Sequence, residues 1–237
     1  MRFICASRSH VGLRRKLNED RVLERPEIGL WAVADGMGGH EAGDVASTAV
    51  VEALANLPAA QTPTVLVHSA LSSLQEVNRS LVELGQSGVP SRTIGSTIVG
   101  LVIAAGEYKC FWAGDSRAYR VRGSVIAQLS RDHSLVQDLV EAGLVNAEDA
   151  ESHPDAHVIT RAVGAAKELR VDVATGDAQP GDLFLLGSDG LTRLVSDDEL
   201  LIELRTRNPM QACESLVAMV LARGAPDNVS LIVCRVA

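Results

Sequence analysis

The sequence predicts an α+β fold with largely antiparallel sheets. Three observations carry this: short apolar runs rich in Val, Ile, Leu and aromatic residues recur along the whole chain, helical stripes come in pairs, and the strict strand–helix alternation of a doubly wound parallel sheet is missing. Phe3–Ser7 reads as the first strand and Gly29–Asp35 as the next. After the glycine cluster, Ala42, Val45, Ala46, Ala49, Val50, Ala53, Leu54 and Leu57 keep the i, i+3, i+4, i+7 spacing of one buried helix face. Thr62-Pro63 caps a second helix, whose stripe runs through Val67, Ala70, Leu71, Leu74, Val77, Asn78 and Leu81 with one polar lapse. From Ile94 to Leu129 strands crowd together, broken by Gly106, Gly114 and Gly123, and read as an antiparallel meander. Ser130 to Gly164 is irregular apart from a short helix at Leu135–Ala142, and a segment of that length in a compact fold reads as a functional surface flap. Leu169–Ala174, Asp182–Ser188 and Val229–Val236 supply further strands. Ser196 with Glu199 forms a capping box for a helix at Asp197–Arg205, and Pro209 starts a partner helix carrying Ala212, Cys213, Leu216, Val217, Val220 and Leu221. No linker-like composition divides these elements, so a single domain over 1–237, with the flap at about 130–164, is expected.

A hydrophobic content of 46% can bury a core without disulfides. The 22 Lys and Arg against 30 Asp and Glu leave a net charge of −8, so no basic field exists to hold a nucleic-acid backbone or an anionic membrane. An anionic substrate must therefore meet local positive charge, from a few Arg residues or from cations recruited by the surplus carboxylates. The apolar stretch from Thr97 to Gly106 is about half of the roughly 20 residues a membrane-spanning helix needs and reads as a buried strand. The N-terminus turns polar at Ser7 to His10 before a signal-peptide core could form, which predicts a cytoplasmic protein. Cys5, Cys110, Cys213 and Cys234 sit among apolar neighbours with no CxxC pair, the pattern of buried, reduced thiols.

Three apolar runs end alike: Leu30–Ala34 into Asp35-Gly36, Cys110–Gly114 into Asp115, and Leu183–Ser188 into Asp189-Gly190, while Asp227-Asn228 precedes the final strand. One Asp-Gly alone is a turn. Four carboxylates at strand termini, if they share one edge, would raise one another's pKa values unless cations neutralise them, and hard divalent ions such as Mg2+ or Mn2+ suit such oxygen donors. Arg15-Lys16-Leu17-Asn18-Glu19-Asp20 adds two acids and a guanidinium; alone it reads as a charged loop, but beside a cation site an Arg fork suits phosphate. The cluster Asp35-Gly36-Met37-Gly38-Gly39-His40-Glu41 fails as a dinucleotide loop because Glu41 stands where glycine is required, and no Walker lysine occurs. A turn that lets the Gly36 carbonyl face a metal is the remaining functional reading.

Together, Arg15-x-x-Asn18-Glu19-Asp20, Asp35–His40, Gly114-Asp115-Ser116-Arg117, Thr160–Gly164, Ser188-Asp189-Gly190-Leu191 and Asp227-Asn228-Val229-Ser230 resemble, in this order, the bacterial branch of the metal-dependent protein phosphatases (PPM, type 2C). The resemblance implies a β-sandwich flanked by paired helices (α-β-β-α layers) and a binuclear Mg2+ or Mn2+ centre at one edge. It implies that Asp35 bridges two core ions, that Asp189 and Asp227 complete one ion's ligands, and that the Gly36 carbonyl with Glu19, through a water if not directly, serves the other. Asp20 lies beside them, Asp115 with Asp189 holds a third, weaker ion, and Arg15 binds the substrate phosphate. The activity implied is hydrolysis of phosphoserine and phosphothreonine in proteins by a metal-activated water. The implied partners are a serine/threonine kinase and its targets, with the enzyme a monomer.

The general acid stays open. In animal members a histidine follows the bridging aspartate by two positions; here that place is Met37, so either His40 or a water on a metal ion would protonate the leaving group. His133 matches a family motif or simply anchors the following helix, while His153 and His157 read as solvated flap residues, since Pro154 interrupts any helix between them. Gly114-Asp115-Ser116 also fits the start of a serine-esterase block, but no histidine follows His157 to serve as its C-terminal base. A noncatalytic phosphoprotein-binding relative of the same fold is the other alternative; retention of every metal acid favours an enzyme.

Overall fold

The structure is a computed structural model that describes residues 1–39, 42–60, 62–87 and 92–237. Strand β1 (Phe3–His10) pairs with β11 (Val229–Val236), which continues through β10 (Leu183–Gly187) and β7 (Arg117–Arg122) to β8 (Val125–Gln128). A second sheet runs β2 (Asp20–Arg25), β3 (Leu30–Met37), β5 (Ile98–Ala104), β6 (Glu107–Ala113) and β9 (Asp172–Asp177), with β4 (Gly95–Ser96) also paired to β3. All of these pairings are antiparallel.

Residue alternation explains the layers. On β3, Trp31 and Val33 face the other sheet, where they meet Phe184, Leu186, Ile232 and Cys234, whereas Leu30, Ala32 and Ala34 face helices α1 (Ala42–Ala55) and α2 (Pro63–Ser87). On β11, Ile232, Cys234 and Val236 turn to the inter-sheet core, and Leu231 and Val233 pack under α5 (Asp197–Thr206) and α6 (Pro209–Ala222). The central strands are thus buried on both faces, which is why they read as unbroken apolar runs. The result is the α-β-β-α sandwich that the family resemblance implies. Gly100 on β5 is required by packing, because an added Cβ would lie 2.1 Å from the Phe111 ring.

The helix starts fall where sequence places them. The Ser196–Glu199 capping box is formed, and Asn208 caps α6 ahead of Pro209. Helix α2 extends past Leu81 to Ser87, and its polar lapse, Asn78, is buried, accepting from Gly164 N at 2.7 Å and donating to Ala166 O at 2.9 Å. All four cysteines are free thiols, with Cys5 and Cys234 facing each other across β1 and β11 at 3.0 Å between sulfurs.

Three expectations change. The Ile94–Leu129 crowd is not one meander: β5–β6 belongs to one sheet and β7–β8 to the other. The chain crosses at Gly114-Asp115-Ser116, where Gly114 takes φ +124 and an added Cβ would lie 2.6 Å from Thr97 Cβ. The strand expected at Leu169–Ala174 slides to Asp172–Asp177, because Leu169 is drawn into the helix-side core while Val173 and Ala174 pair with β6. Strand β2 carries no strand pattern in the sequence, since only Val22 and Leu23 are its inward apolar residues among charged neighbours.

The flap holds α3 (Leu135–Glu141), capped by Ser134, and a 3-10 turn at Ala147–Ser152. Its base is anchored by His133, 2% exposed, stacked on Trp112 and accepting from Gly114 N at 3.2 Å through Nδ1.

Candidate functional site

The fold brings Glu19, Asp20, Asp35, Gly36, Asp115, Asp189 and Asp227 to one edge of the sandwich. Asp20 opens β2 directly opposite Asp35 near the end of β3; Asp115 lies where the chain changes sheets; Asp189 follows β10; Asp227 precedes β11. These acids sit at strand ends because there the backbone leaves its ladder and side chains can converge.

Each is held by its neighbours. Asp35 N donates to Thr97 Oγ1 at 3.1 Å, and Asp35 O accepts from Thr97 N at 2.8 Å and Ser96 Oγ at 3.0 Å. Thr97 Oγ1 and Ser116 Oγ lie 2.8 Å apart, coupling the Asp35 and Asp115 segments; Ser116 is 1% exposed, which removes it as an esterase nucleophile. Ser188 Oγ donates to Asp20 Oδ2 at 2.9 Å. Asn228 Oδ1 accepts from Glu19 N at 2.8 Å while its Nδ2 donates to Val11 O at 2.8 Å and Leu17 O at 2.9 Å, stitching the N-terminal block to β11. Gly36 and Gly43 touch through their backbones: a Cβ on Gly43 would lie 2.6 Å from Glu19 Oε1 and 2.6 Å from Gly36 C.

Two guanidinium groups lie among the acids. Arg15 donates to both oxygens of Asp227, at 2.8 and 2.7 Å, from an exposed position. Arg193, which belongs to none of the sequence motifs, reaches Asp115 Oδ2 at 3.0 Å through Nη2 and Asp189 Oδ2 at 3.0 Å through Nε. The clue to it was present: position 193 is one helical turn beyond Asp189. His40, the candidate general acid, lies outside the described residues.

The electrostatics are those of crowded acid. Burial, then Asp115, Asp227 and Asp20, push the Asp189 carboxyl up to about 8. Burial raises Asp20 to about 6 against hydrogen bonds from Ser230 and Ser188. Burial first, then the surrounding Asp20, Asp189, Asp115 and Asp227, holds Asp35 well above the usual carboxylate range, and Asp115 is raised by burial in spite of Arg193. An acid whose pKa rises on folding keeps in the native state a proton that the unfolded chain releases from about pH 4 upward. Chelated protein should therefore lose stability as pH climbs from about 4 through about 8, the range over which Asp20 and Asp189 give up their native-state protons. Urea midpoints in EDTA at pH 5, 6.5 and 8 check this; a rising series would contradict it.

These residues fit a hard divalent cation. Glu19 Oε1, Asp20 Oδ1 and Asp115 Oδ1 are buried and have no hydrogen-bond partner, a costly state for carboxylate oxygens that a cation would relieve. Among the described residues no three His, Cys, Asp or Glu side chains close into a finished cage; the two guanidinium groups lie on Asp227 and on the Asp115–Asp189 pair.

The family model described as Protein phosphatase 2C matches residues 8–224. The serine/threonine protein phosphatase PstP of Mycobacterium tuberculosis is 34% identical over 231 residues, covering 98% of this chain and 44% of its own length. This chain thus spans under half of that relative. Protein phosphatase PhpP of Streptococcus pneumoniae serotype 2 is 34% identical over 236 residues, covering 93% of this chain and 92% of its own. Among solved structures, PppA, described as a key regulatory component of T6SS in Pseudomonas aeruginosa, superposes with a TM-score of 0.92 at 43% identity over 100% of this chain and 99% of its own. The catalytic domain of PstP in complex with 2 manganese ions gives a TM-score of 0.86 at 32% identity, covering 98% of this chain and 97% of its own.

Proposed function

We propose, since the chain belongs to the protein phosphatase 2C family, that it hydrolyses phosphoserine and phosphothreonine in proteins with water at a divalent-cation site. The observation that carries this reading is the convergence of six carboxylates at one sandwich edge, with buried oxygens of Glu19 and Asp20 lacking any hydrogen-bond partner. The manganese-bound PstP neighbour supports Mn2+, and the donor chemistry suits Mg2+ equally. In this reading Asp35 would serve both ions, Asp189 and Asp227 would hold one, and Glu19 with the Gly36 carbonyl would hold the other, with Asp20 beside them. Bound ions supply Lewis-acid charge and lower the pKa of water.

The chain's own groups do the rest. Asp20, fixed by Ser188, and Asp35, fixed by Ser96 and Thr97, keep the acids at set positions, so little reorganisation accompanies charge development. Arg15 exchanges Asp227 for the substrate phosphate; its exposed side chain can make that move, and its planar fork matches two phosphate oxygens. Arg15→Lys keeps the charge without the fork. Loss of one charge-assisted hydrogen bond, about 1.5–3 kcal/mol, should lower kcat/KM by roughly ten- to a hundredfold with Mn2+ affinity unchanged. Wild-type kinetics would return Arg15 to the role of a loop residue.

Proton delivery to the departing serine or threonine oxygen is assigned to His40 or to a water at the cation site, and a His40→Ala pH–rate profile separates the two. We further propose a single cytoplasmic domain over 1–237, monomeric, acting on a serine/threonine kinase and its targets and not on nucleic acid or membranes. The net charge of −8 supports the exclusion of nucleic acid and anionic membranes, and no helix among the described residues is long and apolar enough to cross a membrane. PppA supports a regulatory setting.

Phosphate release from matched phosphoserine, phosphothreonine and phosphotyrosine peptides with Mn2+ tests the reading. Turnover confined to the first two is expected. Tight peptide binding without release would favour a noncatalytic phosphoprotein-binding role instead.

A further inference from the structure

Asp115 and Asp189 are both largely enclosed, with side chains 5% and 18% exposed, and Arg193 lies across them. Asp189 and Arg193 sit one turn apart on a single stretch of backbone: α4 (Asp189–Thr192) begins at Asp189, and Arg193 N donates to Asp189 O at 3.0 Å. The guanidinium is only 25% exposed, and Nη2 also approaches the flap carbonyl of Ala156 at 3.5 Å. Arg15 differs on each count, standing 55% exposed on an irregular segment with Asp227 as its only carboxylate contact among the described residues.

We propose that Arg193 takes the place of a third metal ion: its guanidinium, held between Asp115 and Asp189, neutralises that pair from within the chain and leaves the protein with two ions rather than three. The inference rests on the metal-dependent reading above. A fork of N–H donors can serve one oxygen of each carboxylate at once, which a lysine ammonium does with less geometric fit. A third divalent ion would have to part a largely buried ion pair and leave a positive group beside itself, and removing one partner of such a pair is far costlier than forming it is favourable. Asp115 Oδ1 keeps no partner of its own, so ion-binding capacity should return once the guanidinium is gone.

The test is Mn2+ stoichiometry, read by equilibrium dialysis with metal analysis and by EPR of free Mn2+, on the full chain. Wild type and Arg193→Lys should saturate at two ions. Arg193→Met, which keeps the aliphatic bulk and drops the charge, should take up a third at least about tenfold more tightly than wild type, since a unit charge about 4 Å away at intermediate dielectric outweighs that factor. Asp115→Asn added to Arg193→Met should abolish the gain. If circular dichroism shows Arg193→Met unfolded, Arg193→Gln takes its place with the same expectation. A wild-type protein that binds three ions, or uncharged variants that stop at two, would overturn the proposal while leaving the metal-dependent reading standing. Wild type that binds none would overturn both.

Discussion

Asp35→Asn is expected to lose at least about a thousandfold in turnover while the chelated protein becomes more stable. The first effect follows from the proposed position of Asp35 between two cations: Lewis-acid stabilisation amounts to several kcal/mol, and each 1.36 kcal/mol is tenfold in rate. The second follows from the crowding. Asp35 is raised well above the usual carboxylate range, first by burial and then by four neighbouring aspartates, so an uncharged isostere relieves a cost that the metal-free fold carries. Its backbone clamps to Thr97 and Ser96 do not involve the carboxyl and survive the change. Steady-state kinetics with Mn2+ and urea midpoints in EDTA read the two effects separately. A parallel loss of activity and stability would mark Asp35 as a structural residue and contradict its assignment.

Asn228→Ala should destabilise the protein by roughly 3 kcal/mol, because one substitution leaves Glu19 N and the carbonyls of Val11 and Leu17 without their partner near a 6%-exposed side chain, and each stranded buried group costs about 1–3 kcal/mol. For a chain of this size that is a fall of about 6–12 °C in Tm. The same bonds set the position of the Arg15–Asp20 segment, so kcat/KM should fall as well, and Mn2+ should recover part of the lost Tm by holding Glu19 from the other side. Calorimetry with and without Mn2+ checks both; a Tm change under 2 °C would show that Asn228 does not carry the segment.

Much of the site was legible because chemistry and secondary structure change at the same residues. An apolar run that ends in an aspartate beside a glycine marks a strand end and places a carboxylate there, and the repetition of this signal at Asp35, Asp115 and Asp189 suggests a shared edge before any strand is paired. Pairing itself was not legible. Nothing local distinguishes β6 from β7 as partners in one hairpin or members of opposite sheets; the choice is made by Gly114 packing on Thr97 and by the pairing of β7 with the sequence-distant β10, Arg117 opposite Gly187. Strand β2 was hidden because Arg21, Glu24 and Arg25 outnumber its two inward apolar residues. Arg193 was hidden for a different reason: its meaning depends on Asp189 beginning a helical turn, which brings a residue four positions later back over the acid.

The claim on which the rest stands is that convergent carboxylates work through divalent cations. It is tested most directly by one measurement: phosphate release from a phosphothreonyl peptide by protein stripped with EDTA, then titrated with Mn2+. Stripped protein should be inactive, and activity should return with Mn2+ in proportion to the ions bound. Full turnover under chelation would contradict the claim.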